Sequence, residues 1–315
     1  MVQRWWEITV TCQAEAEELV YWRLQSFGCQ GTATQQQQGR VLIQGYVPQQ
    51  QVTLLDIAAL GVWIEQDVVA QGYLSPKLHW QLVNEQDWTH SWQVHWHPIP
   101  VGDRLLICPA WETPPADNTR LVIKLDPGMA FGTGTHETTQ LCLEALEMQL
   151  DQTFEPLPPT VIADIGCGSG ILAIAALLLG AEKVYAVDTC ELAVTATQRN
   201  AQLNGLTEAQ LVVAQGSWEK VPPFVDGVVC NILAAVILEI LPHLAAIVKP
   251  KGWGIFSGIL LDQADRVAEQ LERQGWSLGS VWRRQEWCCL NARFQGLPDS
   301  TELNELNNVK LPPLL

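Results

Sequence analysis

One segment, residues 161–188, constrains the fold of this chain more than any other. A short apolar run leads into Gly-Cys-Gly-Ser-Gly from Gly166 to Gly170, residues 171–179 have helical character, and a second apolar run ends in Asp188. Glycines let the backbone approach a ligand closely, and a carboxylate at the end of the next strand suits ribose hydroxyls. We therefore predict a nucleotide-binding α/β sheet.

The spacing of the glycines indicates which ligand binds. A dinucleotide fingerprint, G-x-G-x-x-G, requires glycine at position 171, where this chain has Ile171. Gly166, Gly168 and Gly170 instead give G-x-G-x-G, a tighter turn that seats no pyrophosphate. We predict that Gly166 and Gly168 bind S-adenosylmethionine and that Asp188 binds its ribose.

Composition limits the partners and the compartment. The 315 residues suggest two domains, and the net charge of −16 disfavours direct nucleic-acid binding, which needs Lys and Arg. The acidity either attracts basic partners or only maintains solubility. Nine cysteines without a C-x-x-C pair indicate reduced, buried thiols. With no signal peptide and no membrane span in the sequence, we expect a cytoplasmic protein that binds no membrane.

The first 103 residues divide into a small domain and a connection. Alternation and helical periodicity over residues 1–84 predict the order β-α-β-β-α-β of an α+β ferredoxin-like domain, with its second helix over 53–60 ending at Gly61. Residues 85–103 are predicted to form a helical linker. Trp88, Trp92 and Trp96 would share one face of that helix. His95 and His97 lack further ligands, so we predict no metal site.

Residues 104–296 alternate between strands and helices. The pattern predicts a lead-in hairpin of strands 104–108 and 120–125, and then a seven-stranded Rossmann-like sheet that is mostly parallel and ends in an antiparallel pair. Ligands of such sheets bind beyond the carboxyl ends of the strands. The polar residues 297–315 are expected to form a disordered tail.

A glycine–threonine loop, residues 126–139, is the second strong motif. It ends in hydroxyls at the start of a helix predicted for 138–150, where free N–H groups and hydroxyls would bind a carboxylate such as that of a methionine moiety. Thr135 is predicted to cap the helix. His136 is either a base or a first-turn residue, and we favour the latter. A zinc-protease motif is excluded because Gln140 stands where H-E-x-x-H requires histidine.

The third motif, Cys230-Asn231-Ile232, ends the fourth parallel strand. An Asn side-chain oxygen and the following backbone carbonyls accept hydrogen bonds from a target nitrogen and so aim its lone pair at a methyl donor. The alternative is that Asn231 only caps the next helix. We predict Asn231 and Ile232 as the catalytic residues of an amine methyltransferase.

The motifs at 126–139, 163–175 and 229–234 together resemble the bacterial ribosomal protein L-eleven methyltransferase (PrmA) family. The resemblance implies a class I methyltransferase domain, an N-terminal substrate-recognition domain, and trimethylation of lysine side chains and of the N-terminal amine of that ribosomal protein. We also expect a monomer. The resemblance implies these cofactor-binding residues: Phe131, Gly132, Thr133, Gly134, Thr139, Gly166, Asp188 and Asn231.

Two other functions are compatible with the sequence. The chain could methylate a small molecule or a different protein, in which case removing residues 1–84 would leave that activity intact. It could also be a non-enzymatic interaction module with a vestigial cofactor fold. The presence of Asp188 and Asn231 argues against a non-enzymatic module.

Overall fold

The structure is a computed structural model in which two compact units, residues 1–96 and 97–315, each have a hydrophobic core. Trp88, Trp92, His95 and the predicted tail 297–315 lie outside the described residues. Those described are 4–29, 32–37, 40–84, 96–126, 134–151 and 158–296. Among them, no helix is both long enough and apolar enough to span a membrane.

The first unit is an antiparallel four-stranded sheet in the order β2-β3-β1-β4 with two helices. The element order β-α-β-β-α-β agrees with the sequence pattern. The elements are β1 (Arg4–Gln13), a 3-10 turn (Ala14–Ala16), α1 (Glu17–Ser26), β2 (Thr32–Gln37), β3 (Arg40–Pro48), α2 (Leu54–Ala70) and β4 (Lys77–Asn84).

Helix α2 continues well past Gly61, where the sequence pattern placed its end. Thr53 caps it in a reciprocal capping box with Asp56, and the helix runs to Ala70. One glycine within a helix costs only about 1 kcal/mol relative to alanine. A continuous apolar face outweighs that cost. The buried residues of this face are Ile57, Leu60, Ile64 and Val68.

The second unit begins with a three-stranded sheet of β5 (Ile99–Val101), β6 (Leu105–Pro109) and β7 (Leu121–Leu125). Strand β5 falls within the predicted helical linker, so residues 99–101 are a correction to that prediction. The predicted hairpin is also wrong, because β6 and β7 are parallel. The connection returns the chain to the start of β6, where the Arg120 side chain donates to the carbonyl oxygens of Gly102 and Leu105.

The main sheet has the order β10-β9-β8-β11-β12-β14-β13. Its strands are β8 (Val161–Ile165), β9 (Lys183–Asp188), β10 (Leu211–Gln215), β11 (Val225–Asn231), β12 (Val248–Leu260), β13 (Trp276–Arg284) and β14 (Trp287–Phe294). Its helices are α3 (Glu137–Gln149), α4 (Ile171–Leu178), α5 (Glu191–Leu203), α6 (Ala234–Leu244) and α7 (Ala264–Arg273).

The direction of the strands fixes where a ligand can bind. Strands β8 to β12 pair in parallel, whereas β14 is antiparallel to both of its neighbours. The strand order reverses between β8 and β11, and this reversal opens a crevice at the carboxyl ends of those two strands. The mixed α/β architecture expected from the sequence is confirmed.

Candidate functional site

The predicted site residues converge on the crevice between β8 and β11. Gly166 follows β8, Asp188 ends β9 and Asn231 ends β11. The next residue, Ile232, lies directly against the glycine turn: a Cβ placed on Gly166 would lie 2.3 Å from its Cγ2. Of the predicted loop residues, Phe131, Gly132 and Thr133 lie outside the described residues.

The glycine turn needs glycine for two separate reasons. Gly166, Gly168 and Gly170 all have positive φ, at 78°, 55° and 81°, which side chains rarely allow. There is also no space for a side chain, since a Cβ on Gly170 would lie 2.7 Å from Cγ2 of Thr197. The turn therefore presents bare backbone between β8 and α4.

Asp188 is fixed against this turn by two backbone donors. Gly168 N donates to its Oδ2 and Cys190 N donates to its Oδ1, both at 2.9 Å. Each carboxylate oxygen still has capacity to accept a second hydrogen bond. Asp188 thus has the position and the chemistry to bind the hydroxyls of a ribose.

Asp164 is a feature of the site to which the sequence reasoning gave no role. The residue is 1% exposed, Ala173 N donates to Oδ2 at 3.1 Å, and Oδ1 has no hydrogen-bond partner among the described residues. Burial, opposed by the Ala173 bond and reinforced by the charge of Asp188, raises the pKa of Asp164 to about 7. The sequence feature that could have identified Asp164 is a carboxylate within the otherwise apolar strand β8.

Asn231 is held by a hydroxyl from helix α3. Its Nδ2 donates to Oγ1 of Thr139 at 3.3 Å, and Thr139 is fully buried. Its Oδ1 is buried and accepts no hydrogen bond from the described residues. Thr139 thus orients the amide so that the oxygen stays available to an incoming donor.

Helix α3 begins with a cap that the sequence prediction assigned to the wrong residue. The N-cap is His136, not Thr135: Thr138 N donates to Nδ1 of His136 at 3.3 Å. Burial lowers the pKa of His136, although Glu137 and Glu286 oppose the shift. A neutral Nδ1 suits this capping role.

Gly134, at the end of the glycine–threonine loop, packs closely against β6 and against the helix that follows the glycine turn. A Cβ on Gly134 would lie 2.3 Å from Cδ1 of Ile107 and 2.9 Å from Cδ1 of Ile171, the first residue of α4. Gln140 Nε2 donates to the carbonyl oxygens of Gly134 and Thr135 at 3.4 and 3.3 Å. The end of the loop is therefore packed against α4 and hydrogen-bonded to α3.

Comparison with known proteins identifies the family of this chain. Residues 4–295 match the family model described as ribosomal protein L11 methyltransferase (PrmA). The protein with that name from Thermosynechococcus vestitus (strain NIES-2133 / IAM M-273 / BP-1) is 90% identical over 95% of this chain and all of its own length. The one from Cyanothece sp. (strain PCC 7425 / ATCC 29141) is 57% identical over 93% of this chain and 99% of its own.

A solved structure is also similar to this chain. The crystal structure of ribosomal protein L11 methylase from Lactobacillus delbrueckii subsp. bulgaricus has 35% identity and a TM-score of 0.56, covering 62% of this chain and 98% of that one. The chain belongs to the ribosomal protein L11 methyltransferase family.

Proposed function

We propose that this protein uses S-adenosylmethionine to methylate lysine side chains and the N-terminal amine of ribosomal protein L11. The family match over residues 4–295 and the two close relatives support this activity. The observation that carries the amine chemistry is Oδ1 of Asn231, a buried acceptor without a partner among the described residues, at the crevice where the strand order reverses.

The residues at the glycine turn fit the cofactor. Gly166 and Gly168 hold the turn in a positive-φ conformation without side chains, and Asp188 offers carboxylate oxygens to the ribose. Oδ1 of Asp164, which has no partner within the described part of the chain, suits a cationic ligand, and S-adenosylmethionine carries its transferable methyl group on a sulfonium cation. Thr139 and the start of α3 would receive the carboxylate, with Phe131, Gly132, Thr133 and Gly134 covering the cofactor.

Asn231 and Ile232 would position the amine. A deprotonated amine donating a hydrogen bond to Oδ1 of Asn231 has its lone pair directed by that bond, and such positioning supplies much of the rate of a direct displacement. The carbonyl oxygen of Ile232 is a second proposed acceptor. It lies against Gly258, where a Cβ would be 2.4 Å away, so glycine is needed for this approach.

The architecture supports different functions for the two units. The topology of the antiparallel sheet supports residues 1–84 as a ferredoxin-like substrate-recognition domain, and the main sheet supports 104–296 as a Rossmann-like class I methyltransferase domain. The net charge of −16 favours a basic protein substrate over direct nucleic-acid contact. A cytoplasmic monomer completes the proposal.

Transfer of a labelled methyl group tests this function. The full chain is incubated with labelled S-adenosylmethionine and total ribosomal proteins from a strain that lacks the activity. We expect label in the L11 band alone, and loss of that label with Asn231→Ala. Label on RNA, or on other proteins with none on L11, contradicts the proposal. Activity on a free small amine that survives deletion of residues 1–84 would favour a small-molecule methyltransferase.

A further inference from the structure

Helix α5 carries polar side chains on the face it packs against the glycine turn. Thr197 and Asn200 are both fully buried, one helical turn apart. Thr197 Oγ1 donates to the carbonyl oxygen of Gly168 at 3.0 Å, and Asn200 Nδ2 donates to the carbonyl oxygen of Ser169 at 2.8 Å. Two successive peptide planes of the turn are therefore oriented by side chains of α5.

The other end of the Asn200 amide contacts a different segment. Its Oδ1 accepts from the backbone N of Asp126 at 2.9 Å. Asp126 directly follows β7 and is the first residue of the glycine–threonine loop motif. A single buried side chain thus connects the turn after β8 with the start of that loop, two segments more than 40 residues apart along the chain.

Residues other than Asn200 also hold the end of β7 against α5. One turn further along, Asn204 Oδ1 accepts from Lys124 N at 2.9 Å, and its Nδ2 donates to Lys124 O at 2.7 Å. Arg199 adds an ion pair with the Asp126 carboxylate at 2.7 Å. What distinguishes Asn200 from these neighbours is its bond to the glycine turn.

We propose that Asn200 is a positioning residue that aligns the glycine turn with the start of the loop so that S-adenosylmethionine can bind. It acts through the backbone of Ser169 and Asp126. The inference rests on the proposed assignment of the glycine turn as the cofactor site. Removing the amide deletes its hydrogen bonds to the carbonyl oxygen of Ser169 and to the backbone N of Asp126, and a loss of this kind costs enough to change affinity about tenfold or more.

The test compares Asn200→Ala with a matched variant, Asn204→Ala, in the full-length protein. Asn204→Ala also removes two hydrogen bonds to the backbone of Lys124 near the end of β7, together with one from Nδ2 to the carbonyl oxygen of Asn200 at 2.8 Å. It keeps the Asn200 side chain and its bond to the turn. Calorimetry should show S-adenosylmethionine binding weakened about tenfold or more in Asn200→Ala and less than about twofold in Asn204→Ala. In steady-state assays, the cofactor KM should rise while the KM for ribosomal protein L11 stays constant.

Two further variants separate a failure of folding, or of the cofactor-site assignment, from a failure of the proposed role of Asn200. Asn200→Asp keeps an acceptor for Asp126 N and loses the donor to Ser169 O, so it carries the test if Asn200→Ala does not fold. Asp188→Ala reports on the site itself. The proposed role of Asn200 is wrong if Asp188→Ala weakens binding while both Asn200 variants bind normally. It is also wrong if Asn200→Ala and Asn204→Ala lose affinity equally. If Asp188→Ala binds normally, the cofactor-site assignment fails and this inference fails with it.

Discussion

At the scale of single residues, two buried oxygen atoms distinguish the site from the rest of the main sheet. They are Oδ1 of Asp164, near the end of β8, and Oδ1 of Asn231, at the end of β11, and neither accepts a hydrogen bond from the described residues. A buried polar atom left in this state costs about 1–3 kcal/mol. A ligand that donates to these oxygens relieves that cost, which explains why polar residues lie at or near the carboxyl ends of these two strands.

Thr139 tests the claim that the Asn231 amide is held in one orientation. Thr139→Val preserves the shape of the buried side chain but removes the hydroxyl that Nδ2 of Asn231 contacts. We expect kcat to fall about tenfold because the amide is no longer held in position. This fall corresponds to an increase of roughly 1.4 kcal/mol in the activation free energy. Thr139→Ser, which keeps the hydroxyl, should stay close to the unaltered enzyme. Equal rates for the Val and Ser variants in single-turnover assays would show that the orientation does not matter.

Asp164 predicts that cofactor binding is coupled to proton release. Its pKa is about 7 in the protein, above the usual carboxyl value, so it is largely protonated below that pH. A bound cation favours the ionised form and lowers the pKa. Cofactor affinity should therefore rise with pH towards 7 and level off above it, with protons released on binding near neutrality.

Calorimetry in buffers with different ionisation enthalpies measures that proton release. Asp164→Asn keeps the acceptor for Ala173 N and has no proton to release, so its affinity should be independent of pH in this range. Asp188 is the charged neighbour that contributes to the shift, and it is unchanged in this variant. Proton release of the same size in Asp164→Asn would assign the coupling to another group.

The residues that the sequence identified at the site are local exceptions to a pattern. Gly166, Asp188 and Asn231 interrupt or end apolar strands, so their positions were visible without a structure. The cap at His136 was missed because Thr135 is the preferred capping type of the two, and only backbone geometry decides between adjacent residues. The bridging role of Asn200 was invisible because it depends on two contacts that are distant in the sequence.

At the scale of elements, the β13–β14 hairpin supports the helix that presents Thr139. Arg284 donates to Oε1 of Gln140 at 2.9 Å and to both carboxylate oxygens of Glu144 at 3.0 and 3.1 Å. Trp287 packs edge-on against His136, with ring centroids 5.0 Å apart. Because Gln140 in turn holds the carbonyl oxygens at the end of the glycine–threonine loop, the hairpin contributes to the shape of the site.

Arg284→Met tests that support, with Arg293→Met as its control. Arg293 donates from the same hairpin to Gln149, at the far end of α3. Both changes remove partly exposed contacts and should cost about 1 kcal/mol of unfolding free energy or less. Only Arg284→Met should weaken S-adenosylmethionine binding, by roughly three- to tenfold. Equal affinities of the two variants for the cofactor would contradict a role for the hairpin in the site.

Errors at the element level have a common physical origin. Helix α2 passes through Gly61 because its buried face continues, and β7 lies parallel to β6 because Arg120 and the connecting segment bring the chain back to the start of β6. Both outcomes depend on tertiary packing that overrides a local signal. The alternation within residues 158–296 was easier to interpret, since helical and strand periodicities succeed each other regularly there.

At the scale of the whole molecule, the chemistry is proposed for one unit and substrate recognition for the other. The crevice that contains Gly166 and Asn231 lies within residues 97–315, and residues 1–96 form a separate sheet with its own core. We propose that both units are needed, residues 1–96 to recognise the protein substrate and residues 97–315 to act on its amines. Activity on ribosomal protein L11 is therefore the property that the complete chain must show.

Mass spectrometry of ribosomal protein L11 tests this central claim most directly. The purified protein is treated with the complete chain and S-adenosylmethionine, in parallel with the Asn231→Ala variant, and its peptides are then mapped. We predict added methyl groups confined to lysine side chains and the N-terminal amine, and none or a small fraction of them with Asn231→Ala. An unmodified L11, or methyl groups on atoms other than amine nitrogen, would contradict the account.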